Sequence, residues 1–145
     1  MIAVGSDHGG YELKQAVCEY LKSRQISYED YGTYSTESVD YPDVAAKVAG
    51  AVSKGVVKEG ILICGTGIGV SIAANKFPGV RAALVHDAFT AQMAREHNDA
   101  NILVMGGRIL SAAEGARLVG IWLDHRFEGG RHQNRLSKIT ATEQK

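Results

Sequence analysis

The chain has 145 residues, 45% apolar and 22% charged, with 16 basic residues cancelling 16 acidic ones. A single domain of this size buries roughly two thirds of its unfolded surface, so it needs no disulfide or metal staple, and a balanced charge argues against a nucleic-acid binder. The opening MIAVGSDHGG lacks a basic n-region, and no apolar run approaches the ~18 residues that span a bilayer. The expectation is therefore a cytoplasmic protein with neither nucleic acid nor membrane as partner.

In chain order, short β-rich runs alternate with amphipathic stretches, the pattern of a parallel sheet covered on both faces. Strands are expected at 2–6, 27–32, 60–64, 81–85 and 102–106. Leu13, Ala16, Val17, Tyr20 and Leu21 form one helical stripe, and Val44, Val48, Ala51 and Val52 form another. Pro42 suits a first helical turn, and Ser111 with Glu114 spells a capping box. A last helix is expected over 131–142, with a loop-rich stretch at 32–41 and a polar tail after Thr140. Residues 1–145 thus read as one Rossmann-like α/β domain, a five-stranded, mostly parallel sheet flanked by helices and closed by a C-terminal helix. Cys18 and Cys64 lack a C-x-x-C spacing and read as free thiols.

Ligands of open α/β sheets bind beyond the carboxyl ends of the strands. There the sequence places Asp7-His8-Gly9-Gly10, Cys64 with its glycines, His86-Asp87 and Gly106-Gly107-Arg108. The run CGTGIG at 64–69 is not a P-loop, because Val70, Ser71 and Ile72 stand where lysine and hydroxyl are required, nor a dinucleotide fingerprint, because Val70 replaces the third glycine. A cysteine phosphatase loop wants an arginine at that same position. Backbone chemistry remains. Gly65, Gly67 and Gly69 allow amides to converge on an oxyanion at a helix N-terminus, with Cys64 facing it and the donors favouring its thiolate. A small buried strand end accounts for Cys64 equally well.

His97 and Asn98, in HNDAN, close a helix before the fifth strand and fit either a site or a helix C-cap. Arg131 and Arg135 share one helix face beside His132 and fit either a phosphate clamp or a solvated basic face. Asp7 and His8 fit either a capping pair or a site, and Asp87 reads as an N-cap. Cys18, Met93 and His125 read as structural.

Together, GSDHGG at 5–10, YPD at 41–43, CGTGIG at 64–69, NK at 75–76, HNDAN at 97–101, GGR at 106–108 and EGGRH at 128–132 with Arg135 closely resemble type B ribose-5-phosphate isomerase, in the family that also holds galactose-6-phosphate isomerase subunits. The resemblance covers nearly the whole chain. It implies a Rossmann-like homodimer with active sites where subunits meet, no cofactor and no metal requirement, and an aldose–ketose isomerase of the pentose phosphate pathway that acts on a sugar phosphate through a cis-enediolate. By this resemblance Cys64 is the carbon base, Thr66 and the amides of Gly65, Thr66, Gly67, Ile68 and Gly69 hold the enediolate, and His97 opens the furanose. Asp7, His8 and Asn98 contact hydroxyls, while Arg108, Arg131 and Arg135 hold the phosphate. Some family members carry a glutamate where this chain has Val70, so here the thiol is the one base in the loop. Three alternatives stand beside this reading: a hexose 6-phosphate such as allose or galactose as substrate, a non-catalytic phosphosugar-binding regulator, and a metal-dependent isomerase using Asp7, His8, His86, Asp87 or Asp99, which share no ligand spacing.

Overall fold

The computed structural model describes residues 1–143. Five strands, β1 (Ile2–Ser6), β2 (Tyr28–Asp30), β3 (Glu59–Cys64), β4 (Ala82–Leu84) and β5 (Ile102–Gly106), form one sheet in the order β2-β1-β3-β5-β4. Every pairing is parallel, so the sheet is wholly and not just mostly so. Helices α1 (Tyr11–Ser23), α2 (Tyr41–Ser53), α3 (Ile68–Ala74), α4 (Ala88–Glu96), α5 (Ala112–Asp124) and α6 (Arg131–Thr142) surround it. No helix among the described residues is long and apolar enough to cross a membrane.

Side chains alternate across a strand, and both faces of this sheet are covered, so the central strands are apolar throughout. Ile61, Ile63, Leu103 and Met105 point to the layer that holds Leu13, Val17, Leu21 and the fully buried Trp122. Leu62, Cys64, Ile102 and Val104 point to the other, against Val44, Val48 and Val70. Leu13, Val17 and Leu21 of the predicted α1 stripe and Val44 and Val48 of the α2 stripe lie in these buried faces, while Ala16, Tyr20, Ala51 and Val52 are partly buried and Lys14, Cys18, Ala45 and Ala49 complete the contacts. Pro42 lies in the first turn of α2, Ser111 and Glu114 form a reciprocal capping box on α5, and Asp87 caps α4.

β2 and β4 are shorter than the expected 27–32 and 81–85, yet pairing continues past their ends. Tyr31 N–H donates to Val4 O (2.8 Å) and Val85 N–H to Val104 O (3.0 Å). After Asp30 the chain bends, because the Asp30 carboxylate accepts from Gly32 N–H (2.8 Å) and ends the regular ladder. The same carboxylate binds Lys14 Nζ at 2.6 Å, and the lysine side chain is fully buried.

A buried ammonium left without its partner is costly. Asp30→Ala should therefore destabilise the fold by about 3–5 kcal/mol, read as a lower urea midpoint with an unchanged slope.

Candidate active site

The end of β3 and the loop that follows are held by their neighbours. Gly107 N–H donates to Cys64 O (2.8 Å) and Arg108 N–H to Gly65 O (2.9 Å), so the loops after β3 and β5 continue as a clasp beyond the ladder. Gly67 adopts φ +81°, and a Cβ there would stand 2.5 Å from Leu84 Cδ1 and 3.0 Å from Met105 O, so glycine is required on both counts. That left-handed residue turns the chain into α3 and aims its own N–H at the Cys64 sulfur (3.2 Å). The Ile68 amide donates to Thr66 Oγ1 (3.2 Å), which orients the hydroxyl. The thiol lines a cleft shared with Asp7, Tyr41, Thr66, Ile68, Gly69, Ile72 and Arg108.

The floor of that cleft comes from β1. Asp7 is buried and caps the 3-10 turn His8–Gly10 by accepting from Gly10 N–H (3.1 Å). His8 Nδ1 accepts from Val39 N–H (3.2 Å), which ties the loop before α2 to the site. The Arg108 guanidinium lies across Gly9 and Gly65, where a Cβ on either would come within about 3.1–3.4 Å of it or its neighbours. Tyr41 rests against Gly69, where a Cβ would meet its ring at 2.5 Å. The sequence reading passed over Tyr41 and Ile72 as cleft residues. Their signal is weak, one aromatic at a helix start and one exposed isoleucine on α3.

His97, Asn98, Arg131 and Arg135 are elsewhere. Pairing of Gly60 with Ile102 and of Cys64 with Gly106 fixes the direction of β3 and β5. His97, the C-cap of α4, precedes Ile102, so it sits at the amino edge of the sheet while Cys64 sits at the carboxyl edge. Four residue steps of strand, about 13 Å, lie between those edges. Helix α6 follows Gly129 and Gly130, both with positive φ, and reaches the same amino edge. There Leu136 and Ile139 share a second cleft with Arg81, Asn98 and Ala100. His132, buried on α6, stacks on His97 with ring centroids 4.1 Å apart, and Glu128 Oε1 lies 3.6 Å from Nε2 of each. Glu128 and His132 were not foreseen as partners of His97, although both belong to the EGGRH run. Among the described residues this is the one grouping of three metal-ligand types; Asp7, His8, His86, Asp87 and Asp99 form none. Asp87 instead accepts from Thr90 N–H (2.8 Å) as a helix cap.

A thiol and a glycine-built turn stand together at the carboxyl edge of a parallel sheet, the place where α/β enzymes bind their ligands. The model of the Ribose/Galactose Isomerase family matches residues 2–139. Ribose-5-phosphate isomerase B of Escherichia coli is 48% identical over 144 residues, 99% of this chain and 97% of that one. Among solved structures, ribose-5-phosphate isomerase B of Clostridium thermocellum superposes with a TM-score of 0.97 at 51% identity, covering 99% of this chain and 97% of that one. The Mycoplasma genitalium enzyme with bound ribulose-5-phosphate gives 0.95 at 45%, covering 99% and 96%. The chain belongs to the ribose/galactose isomerase family and is an isomerase.

The two thiols differ in setting. Burial, with Asp30 nearby, pushes the Cys18 thiol up to about 11, and its neighbours are the apolar core. Cys64 is also buried, 5% exposed against 7% for Cys18, but it lines a cleft and its sulfur accepts from the Gly67 N–H, a donor that favours the thiolate. Iodoacetamide at neutral pH should therefore alkylate Cys64 well before Cys18, as read by peptide mass spectrometry.

Proposed function

We propose that the protein interconverts ribose 5-phosphate and ribulose 5-phosphate through a cis-enediolate, without a metal or other cofactor, in a homodimer whose sites are shared between subunits. The observation that carries this reading is the thiol of Cys64 set among backbone amides at the carboxyl edge. Isomerisation of an aldose to a ketose needs a base beside C1 and C2, donors for the developing oxyanion, and an acid to open the ring. The Cys64 thiolate takes the C2 proton, charge moves onto the carbonyl oxygen O1, the O2 hydroxyl proton passes to O1 within the cis-enediolate, and the thiol returns its proton to C1 as the C2 carbonyl forms. Gly65, Thr66, Ile68 and Gly69 line the same cleft, and the amides of this turn with the Thr66 hydroxyl are the donors for that oxyanion, those of Gly67 and Ile68 turning to it from the Cys64 sulfur and Thr66 Oγ1. Val70 is fully buried and apolar, which leaves the thiol as the base in this loop.

Within one chain the ring-opening acid is on the wrong side of the sheet. A pentose phosphate bound against Cys64 lies at the opposite edge from His97, Asn98, Arg131 and Arg135 of the same subunit. A second copy presenting its amino edge to this cleft supplies His97 to the ring oxygen, Asn98 to a hydroxyl, and the α6 arginines to the phosphate, while Asp7, His8 and Arg108 act from the first copy. The apolar side chains exposed around the cleft, Ile68, Ile72 and Ile109, fit such a contact. The bound ribulose-5-phosphate of the Mycoplasma genitalium relative favours a pentose over a hexose phosphate as substrate.

Two outcomes test the chemistry. Cys64→Ala should remove nearly all isomerisation while substrate binding, measured by calorimetry, persists, because the loss falls on the transition state. Near-normal turnover in the folded variant would exclude the thiol as base. A furanose needs opening and ribulose 5-phosphate, which has no ring to open, does not. His97→Asn should thus depress turnover of ribose 5-phosphate far more than exchange of the transferable proton with solvent starting from ribulose 5-phosphate. Equal losses in both assays would remove His97 from the role of dedicated ring-opening acid.

A further inference from the structure

The reading above leaves the imidazole of His132 without a role, and its surroundings are uncommon for a structural histidine. The residue is 5% exposed, and its Nε2 is buried with no hydrogen-bond partner among the described residues. A buried polar atom left unpaired destabilises the fold, so its placement calls for a reason. The ring lies almost flat on His97, at an interplanar angle of 15°, and both Nε2 atoms face the same Glu128 oxygen at 3.6 Å.

Three ligand-type atoms within 4.8 Å of one another raise the question of a metal. Parallel stacked rings aim their Nε2 lone pairs side by side, whereas a tetrahedral ion needs them to converge on a point, so a metal would require one ring to leave the stack. A proton has no such requirement. Two imidazoles in face contact beside one carboxylate are suited to hold a single positive charge, since a second would meet the first at close range.

We propose that His132 is the positioning residue for His97: it fixes the plane of the His97 ring by stacking, stays neutral beside it, and with Glu128 leaves the single proton of the pair on His97 for delivery to the sugar. This rests on the reading of His97 as the ring-opening acid. The charged and titratable groups around His132 agree with it. Burial, then the neighbouring His97, Arg131 and Arg135, hold the His132 imidazole below its ordinary range, with Glu128 acting in the opposite sense. His97, half-exposed at the helix end, is the ring free to meet substrate. In the step itself the His97 proton passes to the furanose oxygen as the C1–O bond breaks. The anomeric hydroxyl becomes the carbonyl, its proton goes to solvent, and solvent recharges His97.

The test separates stacking from charge. His132→Ala removes the stacking ring, and His132→Phe restores a flat ring that carries no proton. With His132→Ala, turnover of ribose 5-phosphate should fall about ten- to a hundredfold with little change in KM, while solvent exchange from ribulose 5-phosphate keeps its wild-type rate. His132→Phe should regain most of that turnover. Glu128→Gln, which keeps the shape of the side chain and removes the charge beside both rings, should lower turnover of ribose 5-phosphate while solvent exchange from ribulose 5-phosphate keeps its wild-type rate. Wild-type turnover in His132→Ala, or a His132→Phe variant that is no better than His132→Ala, overturns the proposal. Should the His132 variants not fold, as read by thermal melts, undiminished ribose 5-phosphate turnover in Glu128→Gln overturns it alone. Failure of the His97 assignment is seen separately, as equal losses of ribose turnover and exchange in His97→Asn.

Discussion

Two backbone hydrogen bonds hold the reactive edge of this molecule together. By joining Gly107 to the carbonyl of Cys64 and Arg108 to that of Gly65, they extend β3 and β5 into their loops and fix where the thiol, the amides and the guanidinium stand relative to one another. The clasp admits the loop after β1 as well, since Gly107 approaches Gly9 so closely that a Cβ would lie 2.6 Å from its carbonyl oxygen. In the proposed reaction, donors held in this way need no rearrangement when charge develops, which is where such sites gain their advantage over water.

The same parallel sheet that places Cys64 at one edge keeps His97, its proposed partner in the reaction, at the other. Each strand delivers its carboxyl-end residues to one edge and each α4- or α6-type helix end to the opposite edge, so Cys64 and His97 are separated by topology and not by a loop that could close. Such a constraint makes a second copy the simplest source of the missing acid and of the arginines. It also gives sense to a C-terminal helix that starts after two glycines with positive φ, packs His132 and Leu136 onto the amino edge and carries Arg131 in its first turn. In the proposed dimer, each subunit contributes a nucleophilic edge to one site and a proton-donating edge to the other.

Much of this was legible in the sequence, for physical reasons that differ from residue to residue. Ile61 to Ile63 and Ile102 to Met105 read as strands because both faces are buried, and α6 was foreseen with its observed bounds because the glycine pair and the polar end bracket it. The glycine spacing around Cys64 announced the turn, since a left-handed residue was needed at Gly67. Other features were harder to read. The direction of the chain around His97 was available from its place before β5, but the rule that ligands gather at carboxyl ends drew attention to the other rim. The stack of His132 on His97 joins residues 35 positions apart, on helices whose mutual packing no local pattern encodes. Tyr41 was visible as part of a helix start, and its contact with Gly69 comes only from the packing of α2 on α3.

The account depends most on the division of one active site between two chains. Its direct measurement is complementation: Cys64→Ala protein and Arg135→Ala protein, each inactive at low substrate concentration, are unfolded together, refolded as a mixture and assayed with ribose 5-phosphate. A shared site predicts that activity returns, because a heterodimer carries one site with both residues intact, up to about half the wild-type activity per heterodimer if the sites act independently. If Cys64 and Arg135 serve from the same chain, every site in the mixture carries a defect, no activity returns above that of the separate variants, and the division of the site between subunits is contradicted.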